Sequence, residues 1–320
     1  MLAMQGRLLL VNYHYVRDPK VYAYPGIHPL SPEQLRRQVG KLGSTLELLT
    51  PGEAEAYLLG RRPLDRPSAL LTFDDGLVDH AWAAREILDP LHIKAVFFVC
   101  TRPLVEERAL VVHKVHYLRA TTEPEQFRRE FLELLPGEWQ GSELSSEQRE
   151  AARRTYIYDR PEHGDLKYLI NFVLPEHVVD AVTTGMFEGH EIDEAEFCRR
   201  TYMDANALRA LEASGHRVEA HTHDHRPVTT LGPDESELMT RNVDVLTQVL
   251  GRRPTWISFP YGRDWALQPD PAAFCRRYGF QIGITLTGDW VRPEHRPYAV
   301  DRINTNEVDM VLAQVAEAGG

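Results

Sequence analysis

Two short clusters of titratable side chains carry the chemistry that this chain can do. The first is Thr72-Phe73-Asp74-Asp75-Gly76. Two adjacent carboxylates end an apolar run, and the glycine after them permits a sharp turn. Neighbouring residues leaving a strand point in different directions, so one carboxylate can bind a metal while the other faces a reacting water. The second cluster is His221-Thr222-His223-Asp224-His225. His221 and His225 share a face if the chain turns helical there, and they can still converge from a loop. One aspartate and two histidines leave coordination positions open for water and for a carbonyl oxygen. That donor set suits Zn²⁺, Fe²⁺, Co²⁺ or Ni²⁺. It serves hydrolysis, and it also serves non-heme iron oxygenases. A solvated Asp turn and a polar surface turn are the plainer readings, but clustering at two strand ends favours a site. A weaker third element is Phe259-Pro260-Tyr261-Gly262. Pro260 has no N–H, so the next free amide is that of Tyr261, which can stabilise an oxyanion.

These clusters need elements to hold them. Apolar runs at 8–12, 46–49, 68–73, 95–99, 217–221, 255–259 and 280–285 read as strands. Amphipathic stretches separate most of them. Ser31-Pro32-Glu33-Gln34 has the form of a capping box with proline at N1, and Leu35, Val39 and Leu42 line one face up to a stop at Gly43. Further helices are expected at 78–88, after the cap Asp204, over 234–250 before Gly251, and at 306–318. Strand–helix alternation predicts an α/β fold with parallel strands, either a barrel or an open sheet. In such folds functional groups gather at the carboxyl ends of strands, where all three motifs fall. Residues 101–203 break the rhythm. Segments such as Glu125–Leu135 and Ser146–Ile157 read as amphipathic helices, so this region is expected to be a helical insertion in one domain spanning 1–320. A lid over the site is one use for it. His113, Lys114 and His116 within it are candidates for the mouth of the site.

Composition bounds the partners. Of 320 residues, 43% are hydrophobic and 26% are charged, with 36 Lys and Arg against 47 Asp and Glu, a net charge of −11. A chain this acidic has no general attraction for nucleic acid or anionic lipid. Cys100, Cys198 and Cys275 are odd in number and widely spaced, so no disulfide framework is expected and a reducing compartment fits. No signal peptide or transmembrane stretch is visible, and the cytoplasm is the expected location. A second methionine, Met4, leaves the starting residue open. Oligomeric state is not readable.

Taken together, Thr72–Gly76, His221–His225 and Phe259–Gly262 resemble the polysaccharide deacetylase family (NodB homology, carbohydrate esterase 4). The order matches, and Ala95-Val96-Phe97-Phe98-Val99 resembles the family's second barrel strand. The resemblance covers 8–100 and 204–303. It implies a distorted (β/α)7 barrel of the NodB type, interrupted by the insertion. It also implies a hydrolase that removes the acetyl group of an N-acetylated polysaccharide, lipid-linked glycan or sugar nucleotide. Asp75, His221 and His225 would bind a divalent metal, Zn²⁺ first, with Co, Ni or Fe as alternatives. Asp74 would be the general base, the Tyr261 N–H would hold the oxyanion, and Thr222 and Pro260 would support the substrate end of the site. Hydrolysis of a non-sugar amide, formamide or imide is the alternative on the same fold.

Three departures from the family pattern stand out. An arginine usually precedes the proline by two residues, and here that place is Ser258; Arg302 is the candidate replacement. The C-terminal Leu-His-Asp element is missing. Asn12-Tyr13-His14-Tyr15-Val16 resembles instead the N-terminal motif of the circularly permuted branch, which implies His14 as the general acid. The substrate-cupping tryptophan is assigned to Trp290 in Gly288-Asp289-Trp290.

Overall fold

The computed structural model describes residues 6–18, 27, 29–156 and 160–319. Met4 and Ile157 lie outside the described residues. The described residues fall into two compact units, one of 6–18, 29–107 and 198–319, the other of residue 27 and the described part of 108–197.

The first unit is built on parallel strands: β1 (Leu8–Tyr13), β2 (Glu47–Leu48), β3 (Ser68–Phe73), β4 (Ala95–Val99), β5 (Arg217–Ala220), β6 (Trp256–Ser258), β7 (Ile282–Ile284) and β8 (Ile303–Asn304). They lie in the order β7-β6-β5-β4-β3-β1-β8, with β2 beside β3. Each pairing is parallel. Ile284 also bridges to Val300, just ahead of β8, so the sheet curls round on itself. The result is the distorted (β/α) barrel of the NodB type.

Side-chain alternation along these strands makes two apolar layers. Leu8, Leu10, Leu70, Val96, Phe98, Trp256, Ile282, Ile284 and Val300 form one buried cluster. Leu9, Val11, Tyr13, Leu71, Phe73, Phe97, Val99, Val218 and Ile257 alternate with them and join the helices in a second. The same alternation continued to the carboxyl ends puts Asn12, Thr72, Asp74 and Ser258 in register with the first set. All four are buried polar groups. The barrel interior is therefore apolar below and polar at its top.

Helices α1 (Pro32–Thr45), α2 (Pro51–Leu58), α3 (Val78–Ala83) and α4 (Arg102–Glu106) precede the second unit. The capping box at Ser31 is present, with the hydroxyl accepting from Gln34 N and the Gln34 side chain accepting from Ser31 N. Gly43 does not stop α1, however. The helix runs on to Thr45, and Leu46 N–H still donates to Leu42 O. Leu48 packs where a Gly43 side chain would begin, so this glycine serves a close approach rather than a stop. Helix α3 passes into a single π-helical turn, Ala84–Leu88.

In the second unit, every regular element among the described residues is helical: α5 (Val111–Thr121), α6 (Pro124–Glu133), α7 (Ser146–Thr155), α8 (Pro161–Tyr168) and α9 (Glu176–Gly189), with α10 (Glu194–Thr201) leading back. Phe127, Phe131, Leu118, Val182 and Phe187 are in its own core. Lys114 is not a free cation for a site mouth. It is wholly buried, and its ammonium is held by Asp180 and Glu194 and donates to the Thr184 hydroxyl. His113 is buried as well.

Helices α11 (Ala205–Ala213), α12 (Glu235–Leu250), α13 (Pro271–Tyr278) and α14 (Val308–Gly319) complete the first unit. Asp204 caps α11 through Ala207 N, and Gly251 ends α12 in the left-handed region. Strand β8 is only two residues long and so carries no period of its own.

Phe97 sits at the centre of the outer layer, stacked on Phe73 at 4.9 Å and edge-on to His216 at 5.3 Å. Phe97→Ala is expected to lower stability by about 3–5 kcal/mol. Chemical denaturation checks this; a loss under about 1 kcal/mol would contradict such close packing.

Candidate active site

The two aspartates part company at the end of β3. Asp74 still follows the strand, its N–H donating to Tyr13 O. Its carboxylate enters the barrel. Asp75 then takes φ +83° and Gly76 +77°, which turns the second carboxylate away from the first. A Cβ on Gly76 would stand 2.9 Å from Val99, so glycine is needed twice over there. The histidine loop and the Pro-Tyr-Gly turn use the same device. Thr222, His225, Tyr261 and Gly262 have φ of +62°, +70°, +64° and +63°. Left-handed non-glycine residues are costly, and here they concentrate where three strands end.

Those turns bring three donors together. Asp75 Oδ1 lies 3.3 Å from His221 Nε2 and 3.3 Å from His225 Nε2. Asp75, His221 and His225 are all buried, and their donor atoms lie within 4.8 Å of one another. His221 Nδ1 is 2.7 Å from Ser258 O. That carbonyl can only accept, so Nδ1 carries a proton, and in the neutral ring Nε2 carries the lone pair. Nε2 is buried and makes no hydrogen bond among the described residues. Burial pushes the His221 imidazolium down, but the Asp74 charge, then Asp75, outweigh it and hold this histidine above its ordinary range. A site that favours the protonated histidine is a site short of positive charge. The donor types, the orphaned nitrogen and the negative field all fit a divalent cation.

Asp74 is kept out of this set by Arg302. The guanidinium is 1% exposed and grips the carboxylate with both nitrogens, Nη1 to Oδ1 at 2.8 Å and Nη2 to Oδ2 at 2.7 Å. Its other protons reach Ser258 Oγ, Thr72 Oγ1, Asn12 Oδ1 and Thr285 O. Phe98 lies beneath it at 5.7 Å. Ser258 also donates to Asp74 Oδ2 at 3.2 Å. Burial by itself would raise the Asp74 carboxyl. The Arg302 charge, then His221 and the Arg302 hydrogen bonds, prevail and hold it at about 2. Asp74 is therefore ionised at neutral pH, with Oδ2 4.0 Å from His221 Nε2.

The loop itself is braced from behind. The Thr222 hydroxyl accepts from His225 N, and Asn242 Nδ2 donates to Thr222 O and Val99 O. The His223 carbonyl accepts from Thr101 N and Arg102 N, and its ring lies between Thr101 Oγ1 and Glu106. Thr222 and Pro260 are both buried. Tyr261 is 37% exposed, its ring edge-on to His225 at 5.1 Å and next to Trp265 at 5.1 Å. His14 follows β1 directly, half-buried, and its charge bears on Asp74.

Trp290 is a correction. It is not brought to the site: it is 8% exposed and belongs to the core layer between sheet and helices. Val291, next in the chain, pairs antiparallel with Leu8, at the opposite end of β1 from His14. Ser258 and Asn12, noted above only as motif positions, are site residues in their own right, as is Asn242. The period-two alternation of β1 and β6 could have flagged the first two; nothing local points to Asn242.

The polysaccharide deacetylase family profile matches residues 61–132 and 173–281. The chain belongs to the polysaccharide deacetylase family. Comparison with curated proteins returns no match. Among solved structures, IcaB from Ammonifex degensii superposes with a TM-score of 0.59 at 19% identity, covering 97% of each chain. The Streptococcus pyogenes deacetylase PplD, solved with acetate, gives 0.59 at 15% identity, covering 97% of this chain and 98% of that one. A de-N-acetylase from Aggregatibacter actinomycetemcomitans gives 0.55 at 13% identity, covering 96% and 99%. At these identities the likeness is one of fold.

The depressed Asp74 carboxyl has a signed consequence. Its ordinary value is 3.8 and its folded value about 2, so its contribution is complete above about pH 4 and lost as pH falls towards 2. The stability gap between wild type and Asp74→Asn is expected to shrink from about pH 5 to about pH 2.5. Denaturation midpoints at both values read it; a constant gap would mean that Arg302 does not hold the carboxylate ionised.

Proposed function

We propose that this protein is a metal-dependent de-N-acetylase acting on an N-acetylated saccharide. One observation carries the reading: an ionised aspartate, Asp74, is locked by a buried arginine immediately beside an Asp75–His221–His225 donor cluster. Zn²⁺ is the preferred occupant, with Co²⁺, Ni²⁺ or Fe²⁺ able to use the same donors. When bound, such an ion lowers the pKa of water towards neutrality and polarises an acetyl carbonyl.

The chain's own residues divide the remaining work. Asp74 accepts the proton of the attacking water. Arg302 keeps that carboxylate aimed and ionised until it does. The Tyr261 N–H donates to the developing oxyanion. His14 gives a proton to the departing nitrogen as the C–N bond breaks. The products are acetate and a free amine on the sugar. The fold relatives named as a deacetylase with acetate and as a de-N-acetylase support this direction. An oxygenase use of the same three donors is disfavoured, because it gives no role to a second carboxylate tied down beside them. A polymer, a lipid-linked glycan and a sugar nucleotide remain the substrate classes for trial.

Acetate release is expected from at least one member of a panel of N-acetylated monosaccharides, sugar nucleotides and oligosaccharides. It should vanish on chelation and return with Zn²⁺, Co²⁺ or Ni²⁺. Asp74→Asn should keep the metal and lose about 10²–10⁴-fold in turnover. Near wild-type activity in Asp74→Asn would remove it as the base. Silence across the panel with metal bound would point to a non-acetyl amide.

A further inference from the structure

Helix α3 leaves the turn that carries Asp75 and immediately presents two buried polar residues, Asp79 and His80. Neither belongs to the donor cluster or to the Arg302 network. Both reach across to the segment after β1. His80 Nε2 lies 2.9 Å from the carbonyl oxygen of His14. Asp79 Oδ2 accepts from Val16 N at 3.2 Å and from Arg17 Nε at 2.7 Å. The Arg17 guanidinium in turn lies over the Tyr15 ring at 4.6 Å. The whole stretch His14–Arg17 is therefore pinned to the first turn of α3.

His80 is an expensive way to make one hydrogen bond. It is fully buried beside Phe73, at 5.2 Å, and Phe97, at 6.0 Å. Burial pushes its imidazolium down to about 4, so the ring is neutral at pH 7. A carbonyl only accepts, so the single ring proton sits on Nε2 and points at His14 O. Nδ1 is then left buried with no hydrogen bond among the described residues. An apolar side chain in this aromatic pocket would avoid that cost, so packing alone does not account for a histidine.

We propose that Asp79 and His80 are positioning residues that hold His14 at the edge of the site, fixing the proton donor to the same helix that grows from the metal-binding turn. The inference rests on the reading of His14 as general acid. Donor cluster and acid then share one rigid mount, although they lie far apart in sequence. Small shifts of an acid relative to its leaving group are costly, and two anchors remove the freedom of a strand-end loop.

The test compares wild type, His14→Ala, His80→Leu, His80→Gln and Asp79→Asn, all zinc-loaded. Each is assayed on an N-acetyl sugar that wild type turns over and on 4-nitrophenyl acetate, whose leaving group needs no proton. His14→Ala should lower the amide-to-ester ratio of kcat by about 10²-fold. His80→Leu should lower it by about tenfold or more at unchanged zinc affinity, and His80→Gln, which restores an N–H donor, should recover part of the loss. Asp79→Asn should show the same selective loss, and it carries the test together with His80→Gln if His80→Leu does not fold. A ratio unchanged in the His80 and Asp79 variants, with His14→Ala selective, overturns the positioning role alone. A ratio unchanged in His14→Ala overturns the acid assignment, and this inference with it.

Discussion

A guanidinium buried inside a barrel is the constraint on which the rest of this structure depends. Taking a charge out of water costs far more than one hydrogen bond returns, so Arg302 is tolerable only with a buried anion and a complete set of acceptors. Asp74 supplies the anion; Asn12, Thr72, Ser258 and Thr285 supply the remaining oxygens. These partners sit on or beside β1, β3, β6 and β7, while Arg302 itself leads into β8. The pair is thus also a junction where the curled sheet meets itself. Ser258 serves the pair directly, its hydroxyl accepting from Arg302 and donating to Asp74.

This arrangement separates two identical side chains by function. Asp74 and Asp75 are adjacent in sequence, yet one is committed to Arg302 and the other to two imidazoles. The positive φ at Asp75 achieves the split. Comparable backbone strain at Thr222, His225 and Tyr261 is sustained by Asn242, by the amides of Thr101 and Arg102, and by the strands beneath. The strained positions sit on rigid elements, as expected of a site whose geometry must not relax.

Much of this was legible in the sequence because it is local. Strand periods, the Ser31 and Asp204 caps, the Gly251 stop and the two charged motifs all declare themselves within a few residues. Arg302 was legible only through the resemblance, as a stand-in for the arginine missing at position 258, since its carboxylate lies 228 positions away. Residues fixed by tertiary contact escaped. Gly43 has the look of a helix stop but serves a contact with Leu48, and Trp290 has the look of a ligand wall but fills the core. His80 reads as an ordinary helical residue, because its partner is a backbone carbonyl 66 positions earlier. Lys114 is enclosed by Asp180 and Glu194 from other helices, pairings that its own stretch of sequence does not announce.

The proposed division of labour between Asp74 and Asp75 can be read by anomalous diffraction from zinc-loaded crystals. One peak is expected at about 2.0–2.2 Å from an Asp75 oxygen and from Nε2 of His221 and His225. Asp74 should remain gripped by Arg302, outside bonding distance. A zinc ion bound through Asp74, or an Asp74 released from Arg302, would mean that the two carboxylates do not divide the work in this way.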